Sequence, residues 1–219
     1  HHGQYVAEVA GSTADWDERR PVLVDEAAPQ LSRPIGRGED PNDAGARFGC
    51  GGVGLAAIQG ARIAGATHII AIDPIAERRE AALNLGATMA LPPEKAAEVI
   101  MHESNSGVDA AIECVGDPAV MAEAFRVIRP GGRCIVVGLP AFTETLEIPA
   151  IMLLREKTLT GSIYGSANPA VDFQKIASLA DNKQLLFEPL VDNNRPFAEI
   201  NEGFAEMRNG THVRVVLTF

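Results

Sequence analysis

Short apolar runs alternate with longer amphipathic runs along most of the chain, starting near Phe48. The apolar runs are rich in β-branched residues and have the length of strands, whereas the amphipathic runs are rich in Ala, Leu, Glu and Arg. This alternation predicts an α/β fold in which right-handed crossovers give a doubly wound parallel sheet. The predicted strands are 68–73, 88–91, 108–113, 133–138 and 158–163, and the predicted helices are 53–64, 75–85, 94–103, 119–128 and 170–181.

Two stretches fall outside this alternation. Pro, Gly, Asp, Arg and Ala dominate residues 1–47, where only the run PVLVD at 21–25 resembles a strand, so we expect an irregular segment. Near the other end, a helix is predicted at 197–208, ended by Asn209 and Gly210, with a strand at 213–219. The predicted organisation is therefore an irregular segment (1–47), an α/β domain (48–184) and a C-terminal segment (185–219).

The charge balance limits the class of partner. A formal net charge of -10 disfavours nucleic acid and anionic membranes, because both repel an acidic surface. No run approaches the roughly 20 apolar residues that a membrane span needs, and no signal peptide is visible. Cys50, Cys114 and Cys134 lie far apart in apolar stretches, which is typical of buried thiols rather than of a disulfide framework. We therefore expect a cytoplasmic protein.

The first candidate for chemistry is a glycine-rich loop. The run from Gly49 to Gly54, GCGGVG, fits the pattern G-x-G-x-x-G and passes directly into a predicted helix. Glycines let the backbone approach phosphate groups closely, and the free N–H groups and dipole of the helix N-terminus attract an anion. The motif alone is a weak signal, but its place before a helix indicates a pyrophosphate site.

Asp73 is the second candidate. It ends the predicted strand HIIAID, about 20 residues after the loop, where a carboxylate bonds the ribose hydroxyls of a dinucleotide and repels a 2′-phosphate. The alternative is that Asp73 only caps a turn. Together with the loop, the binding interpretation indicates a Rossmann fold and favours NAD over NADP.

The segment before the loop departs from this pattern. A buried central strand normally reads as a continuous Val, Ile and Leu run, whereas residues 42–48 read NDAGARF, with two charges and a glycine. Either this strand is short, or the amino-terminal sequence is not the one with which the domain evolved.

Residues 48–219 resemble the zinc-dependent medium-chain alcohol dehydrogenases, and most closely their glutathione-dependent or mycothiol-dependent formaldehyde dehydrogenase-like branch. The resemblance implies an oxidoreductase that transfers a hydride between NAD and a small alcohol or a hydroxymethyl-thiol adduct. The motifs that carry it are FGCGGVGLAAIQGARIAGATHIIAIDP, GVDAAIECVG, RPGGRCIVVGLP, EKTLTGSIYG and INEGFAEMRNGTHVRVVLTF.

The resemblance also assigns residues to the cofactor. It implies a pyrophosphate loop, a ribose-binding acid with a neighbouring base, two turns near the nicotinamide end, and an arginine for the pyrophosphate. The pyrophosphate loop is Gly49, Gly51, Gly52, Val53 and Gly54, and the pyrophosphate arginine is Arg214. The ribose-binding acid is Asp73, with Arg78 as its neighbouring base. The two turns near the nicotinamide end contain Val115 and Gly116, and Val137, Gly138 and Leu139. Alternatively, Arg78 is a solvated helix residue. Glu113 and Cys114 are interpreted as strand-end packing.

In the family, an amino-terminal domain holds the catalytic zinc through two Cys and one His, and many members hold a second zinc through four Cys. None of these motifs is present here, and His1, His2, His68, His102 and His212 show no spacing with cysteine that suits a zinc site. We therefore expect the catalytic zinc domain to be absent, with no catalytic residue or metal ligand in this chain, which then only binds NAD.

The resemblance further implies a homodimer that pairs through residues 158–165, with Leu159, Ile163 and Tyr164 supplying apolar area. The C-terminal segment 185–219 would rejoin the missing domain. Two interpretations stay open. One is an oxidoreductase represented by a truncated or frame-disturbed sequence. The other is a non-catalytic NAD-binding module that works as the partner subunit of a separately encoded zinc domain.

Overall fold

The computed structural model describes residues 44–104, 106–191, 193–209 and 212–219. The strand-like run at 21–25, most of the predicted irregular segment 1–47 and Gly210 after the last predicted helix lie outside these residues.

A parallel six-stranded sheet forms the centre of the structure. Its strands run in the order β3-β2-β1-β4-β5-β6, so the chain moves outwards in one direction from β1 and then returns to begin again at β4. This confirms the predicted Rossmann-like fold, and it places a crevice where the order reverses, at the carboxyl ends of β1 and β4. The strands are β1 (Ala44–Phe48), β2 (His68–Ile72), β3 (Met89–Leu91), β4 (Val108–Glu113), β5 (Ile128–Val136) and β6 (Thr158–Gly161).

Helices cover both faces of the sheet. Three of them start with a proline in the first turn, where its fixed φ suits the helix and its missing N–H costs nothing. No helix in the described part of the chain is long and apolar enough to cross a membrane. The helices are α1 (Gly52–Ile63), α2 (Ala76–Asn84), α3 (Pro93–Glu103), α4 (Pro118–Val127), α5 (Pro169–Asp181) and α6 (Ile200–Arg208), with short 3₁₀ turns at Ala150–Arg155, Tyr164–Ser166, Glu188–Leu190 and Phe197–Glu199.

Two apolar clusters pack against the two faces. Phe48 and Ile70 meet the inner sides of α3 and α4 on one face, where Ile100 and Phe125 are fully buried. The other face carries α1 and α2, and its cluster also takes in Leu190. The first part of the predicted C-terminal segment 185–219 therefore packs on the Rossmann sheet, because its leucines are buried against α1 rather than turned away from it.

Several predicted boundaries differ from the observed ones. Strand β5 begins at Ile128 rather than at residue 133, because the RPGG run stays in the strand and a register shift against β4 absorbs it. The predicted helix 197–208 begins with a 3₁₀ turn, and the strand predicted at 213–219 is the shorter β8 (Val215–Thr218). It pairs in parallel with β7 (Asn193–Pro196), which the pattern misses because NNRP has no apolar alternation.

The weak first strand is formed. All five residues of β1 are buried, and the strand pairs with both β2 and β4, although residues 44–47 were assigned by pattern to the irregular segment. Its charged residue, Arg47, is fully buried, where Nη1 donates to the Ala46 carbonyl at 3.0 Å and Nε has no hydrogen-bond partner among the described residues. Burial lowers the pKa of Arg47 to about 10. The strand thus carries a desolvated charge at the centre of the sheet.

Replacing Arg47 with methionine should stabilise the chain. The Arg47→Met change removes a buried cation and keeps a flexible apolar stem, so the free energy of unfolding should rise by about 1–4 kcal/mol. Urea unfolding followed by circular dichroism measures this. The matched control is Arg126→Met, since Arg126 is exposed and paired with Glu123, and it should change stability by less than about 1 kcal/mol. A destabilised Arg47→Met chain would contradict this account of β1.

Candidate functional site

The glycine-rich loop lies at the crevice where the strand order reverses. It connects β1 to α1, and Gly49 opens it with a φ of +89°, a conformation that other residues rarely adopt. Helix α1 then begins at Gly52, with Gly51 as a cap that has no side chain and with no acidic residue in the first turn. The first N–H groups of α1 therefore face the crevice without a capping carboxylate, which suits an anion.

Two glycines of the loop differ in the space around them. A Cβ on Gly54 would overlap the Gly49 carbonyl, so this position must be bare for the loop to lie against the helix. A Cβ on Gly51 would meet no described atom within 4 Å. The backbone at Gly51 thus borders open space, a cradle that a side chain would fill.

Asp73 is placed beside this cradle. The residue is 3% exposed, with Oδ2 accepting from the Cys50 N–H and Oδ1 from the Ile75 N–H, both at 2.8 Å. The carboxylate therefore does serve a turn, as the alternative interpretation holds, but each oxygen retains a second lone pair. Asp73 also lines a cavity of about 570 Å³ whose walls are mainly apolar, including Phe48, Ile72, Pro93, Val115 and Val120. Glu123 and Arg78 also line it, and a mainly apolar cavity in which the backbone fixes the Asp73 carboxylate suits a nucleoside.

A second, smaller cavity of about 210 Å³ lies at the start of α1. It is lined by Gly52 and Val53 of the loop and by Arg78, His212 and Arg214 from elsewhere in the chain. Nη2 of Arg214 lies 3.0 Å from the position that a Cβ on Gly52 would take. Burial lowers the pKa of Arg214. A helix N-terminus and two guanidinium groups thus border one small space, an arrangement suited to a phosphate group.

Arg78 connects the two cavities. It lines both of them, and its buried Nε has no hydrogen-bond partner among the described residues. Because Arg78 as a whole is only partly buried, its role as a cofactor ligand stays a prediction beside the alternative of a solvated helix residue. The Arg78 Nε lies between the Asp73 carboxylate and the smaller, phosphate-sized cavity. A ribose or phosphate oxygen of a ligand would give this donor a hydrogen-bond partner.

The remaining predicted residues form the wall on the β4 and β5 side. Val115 lines the larger cavity and touches the loop, since a Cβ on Gly49 would lie 2.7 Å from Val115 Cγ2. The turn at Gly116 packs backbone to backbone against Gly138 and Leu139, so a side chain on either glycine would overlap the other turn. Val137, Gly138 and Leu139 therefore adjoin the turn but line neither cavity described above.

Glu113 has a role that the sequence pattern did not reveal. The fully buried side chain accepts the N–H groups of Val115 and Gly116 through Oε1, at 2.6 and 2.8 Å, and so fixes the turn that borders the cavity. Oε2 is buried with no partner among the described residues. Desolvation raises the pKa of Glu113 against the opposing effect of these hydrogen bonds. The signal available in the sequence was an acid at the end of an apolar strand, as for Asp73.

The cysteines take no comparable part. Cys50 and Cys134 are buried thiols, and burial raises the pKa of each to about 12. Cys114 lines the larger cavity, and burial raises its pKa as well. Within the described ranges, no group of three or more His, Cys, Asp or Glu side chains is placed to hold a metal ion. Zinc therefore does not fit the residues described.

The family model and the relatives that match this chain point to the same family of proteins. The family model described as zinc-binding dehydrogenase matches residues 52–182. Alcohol dehydrogenase 1 of Solanum tuberosum is 38% identical over 176 residues, covering 78% of this chain and 46% of the relative.

Solved structures agree in fold. An alcohol dehydrogenase zinc-binding domain protein from Burkholderia ambifaria is 30% identical with a TM-score of 0.78, covering 88% of this chain and 52% of that one. A zinc-binding dehydrogenase from Sinorhizobium meliloti, bound to NADP, is 26% identical with a TM-score of 0.72, covering 81% and 53%. The chain spans about half the length of the relatives it matches.

Alanine substitutions at Gly54 and Gly51 should have different effects on the stability of the fold. Gly54→Ala should lower the free energy of unfolding by about 1–3 kcal/mol or more, because a methyl group there overlaps the Gly49 carbonyl. Gly51→Ala adds the same methyl group to open space and should cost less than about 1 kcal/mol. Urea unfolding of both variants provides the comparison. An equal loss of unfolding free energy in Gly54→Ala and Gly51→Ala would contradict the observed packing of the loop.

Glu113→Gln should change how stability depends on pH. Because the folded-state pKa of Glu113 is raised, its contribution to stability is fully present below the unfolded pKa of about 4.3 and is lost as pH rises through the folded pKa. Glutamine cannot ionise, so the free energy of unfolding of Glu113→Gln relative to the parent chain should increase from pH 4.5 to pH 8. Each pKa unit of elevation corresponds to about 1.4 kcal/mol. Parallel profiles would show that Glu113 ionises without cost.

Proposed function

This chain belongs to the zinc-binding dehydrogenase family of oxidoreductases, and on that premise we propose that it binds NAD for hydride transfer to or from an alcohol. The observation that carries the proposal is the open cradle at Gly51, which Asp73 borders on one side and the Arg214 guanidinium, over Gly52, on the other. The relatives are alcohol dehydrogenases, and this chain spans about half of their length. The whole protein's activity is therefore part of the proposal.

The pyrophosphate is proposed to lie on the first turn of α1. The N–H groups of Gly52 and Val53 lack a capping carboxylate, and Arg214 adds a cation above Gly52. Gly49 and Gly54 keep the loop flat against the helix so that phosphate oxygens can reach these donors. A charge-assisted hydrogen bond of this kind contributes about 1.5–3 kcal/mol.

The adenosine ribose is proposed to bind between Asp73 and Arg78. Two backbone N–H groups hold the Asp73 carboxylate, so it cannot turn away from a ligand phosphate. Its remaining lone pairs suit the two ribose hydroxyls, whereas a 2′-phosphate would meet a fixed negative charge. The similar dehydrogenase from Sinorhizobium meliloti is bound to NADP. In this chain, Asp73 favours NAD.

The nicotinamide end is proposed to follow the turns after β4 and β5. A nicotinamide ring bound there would supply the hydride chemistry of the reaction. Val115 and Gly116 would border its ribose, and the backbone of Val137, Gly138 and Leu139 would meet its carboxamide. Glu113 acts as a positioning residue, because its carboxyl group fixes the Val115–Gly116 turn.

Activation of the alcohol is assigned to none of the described residues. Zinc is the metal of the family, but no group of side chains within the described ranges is placed to hold it, so we derive no step through a metal. A substrate of the glutathione-dependent or mycothiol-dependent type is the finer form of the proposal, and it rests on the sequence resemblance alone.

A homodimer is proposed through residues 158–165. Strand β6 is an edge of the sheet, and Ile163 and Tyr164, which follow it, are 77% and 58% exposed. An edge strand with neighbouring apolar side chains can pair with a second copy across a twofold axis.

The direct test is titration of the full chain with NADH, followed by nicotinamide fluorescence. We expect saturable binding, with NADPH at least about tenfold weaker because of Asp73. Gly51→Ala should weaken NADH binding at least about tenfold without loss of folding, since the added methyl group fills the cradle. No NADH binding at millimolar concentration, or unchanged affinity of Gly51→Ala, would contradict the proposed site.

A further inference from the structure

Gln59 is a buried polar residue in the middle of α1 that the cofactor site does not use directly. It is fully buried, and an unpaired amide group would be costly there. Nε2 donates to the Leu186 carbonyl at 3.0 Å, and Oε1 accepts the Leu186 N–H at 2.8 Å. Donor and acceptor are thus both bonded to the backbone of one residue, far along the chain.

These two bonds fix a segment that leads to Arg214. Leu190, a few residues after Leu186, is fully buried in the cluster that contains α1. Strand β7 begins at Asn193, and Asn193 pairs with Val215, the residue that follows Arg214. Val213, which precedes Arg214, packs against the same cluster as Leu186. The attachment of Leu186 to α1 is therefore one of the contacts that hold the residues flanking Arg214 against this helix.

Helix α1 contacts both Arg214, at Gly52, and Leu186, at Gln59. Gly52, at its start, lies against the Arg214 guanidinium, whose Nη2 is 3.0 Å from the position that a Cβ on Gly52 would take, and Gln59 lies two turns further along. At 1.5 Å per residue, the two positions are about 10 Å apart along the helix axis. A shift of the Leu186 segment on α1 would thus carry Arg214 away from the first turn of the same helix.

We propose that Gln59 is a positioning residue for the dinucleotide, which holds Leu186 on α1 so that Arg214 lies over the pyrophosphate cradle. The inference rests on the proposed function. It differs from a purely structural role, in which loss of Gln59 would weaken folding without acting through Arg214.

A double-mutant cycle in NADH affinity tests the proposal. Arg214→Met should raise the Kd about tenfold. Gln59→Met should raise it about threefold to tenfold when Arg214 is present, and less than about twofold when Arg214→Met is already in place. The dependence of Kd on salt should also become weaker in Gln59→Met, as in Arg214→Met, because the screened contact is the one that is lost.

Two further variants keep the test decisive. Gln59→Leu also removes both bonds, with an apolar side chain of similar size, and serves in the same cycle if Gln59→Met does not fold. Lys157→Met is the matched control, since the buried Lys157 donates to the Phe125 and Arg126 carbonyls, at 3.2 and 3.0 Å, in the last turn of α4. It should leave the NADH Kd within about twofold.

The positioning role would be overturned if Gln59→Met raised the NADH Kd equally with Arg214 present and with Arg214→Met in place. An unchanged Kd in Gln59→Met would overturn it as well. Either result would leave the proposed function intact. Failure of the unsubstituted chain to bind NADH would instead overturn the proposed function, and this inference with it.

Discussion

The contact between Gly49 and Gly54 is the constraint on which the rest of the site depends. Because neither residue has a side chain, the carbonyl that follows β1 lies directly against the first turns of α1. The helix N-terminus is thereby aimed at the crevice between β1 and β4, and its long apolar side covers the sheet. The cradle at Gly51, the neighbouring arginine and the Gln59 bonds are all arranged relative to this one helix.

Two buried carboxylates build the walls around that helix by the same physical means. Asp73 ends β2 and Glu113 ends β4, and each accepts two backbone N–H groups from the turns beside it. Backbone donors at a turn have no ladder partner, so a side-chain oxygen that satisfies them fixes the turn. Rigid turns then leave a cavity of defined shape. The burial that raises the pKa of Glu113 is the cost of this arrangement.

The sequence predicted the parts of the fold that depend on local pattern. Strands such as β2 and β4 are apolar runs, the glycine loop is contiguous, and Asp73 follows at a known spacing, so each could be read without coordinates. The pairing of β7 with β8 could not, since NNRP has no alternation and depends on a distant partner. Likewise, Gln59 looks like any polar helix residue until Leu186 is placed beside it. The burial of Arg47 was indicated only as a weakness of β1, because burial is set by neighbours on both sides.

On the proposed function, the start of α1 and Arg214 together bind the pyrophosphate of NAD. The most direct measurement is a crystal structure of the chain with NADH. We expect pyrophosphate oxygens within hydrogen-bond distance of the Gly52 and Val53 N–H groups and of the Arg214 guanidinium, with a ribose hydroxyl on Asp73. A dinucleotide bound elsewhere, or one whose pyrophosphate contacts neither α1 nor Arg214, would contradict it.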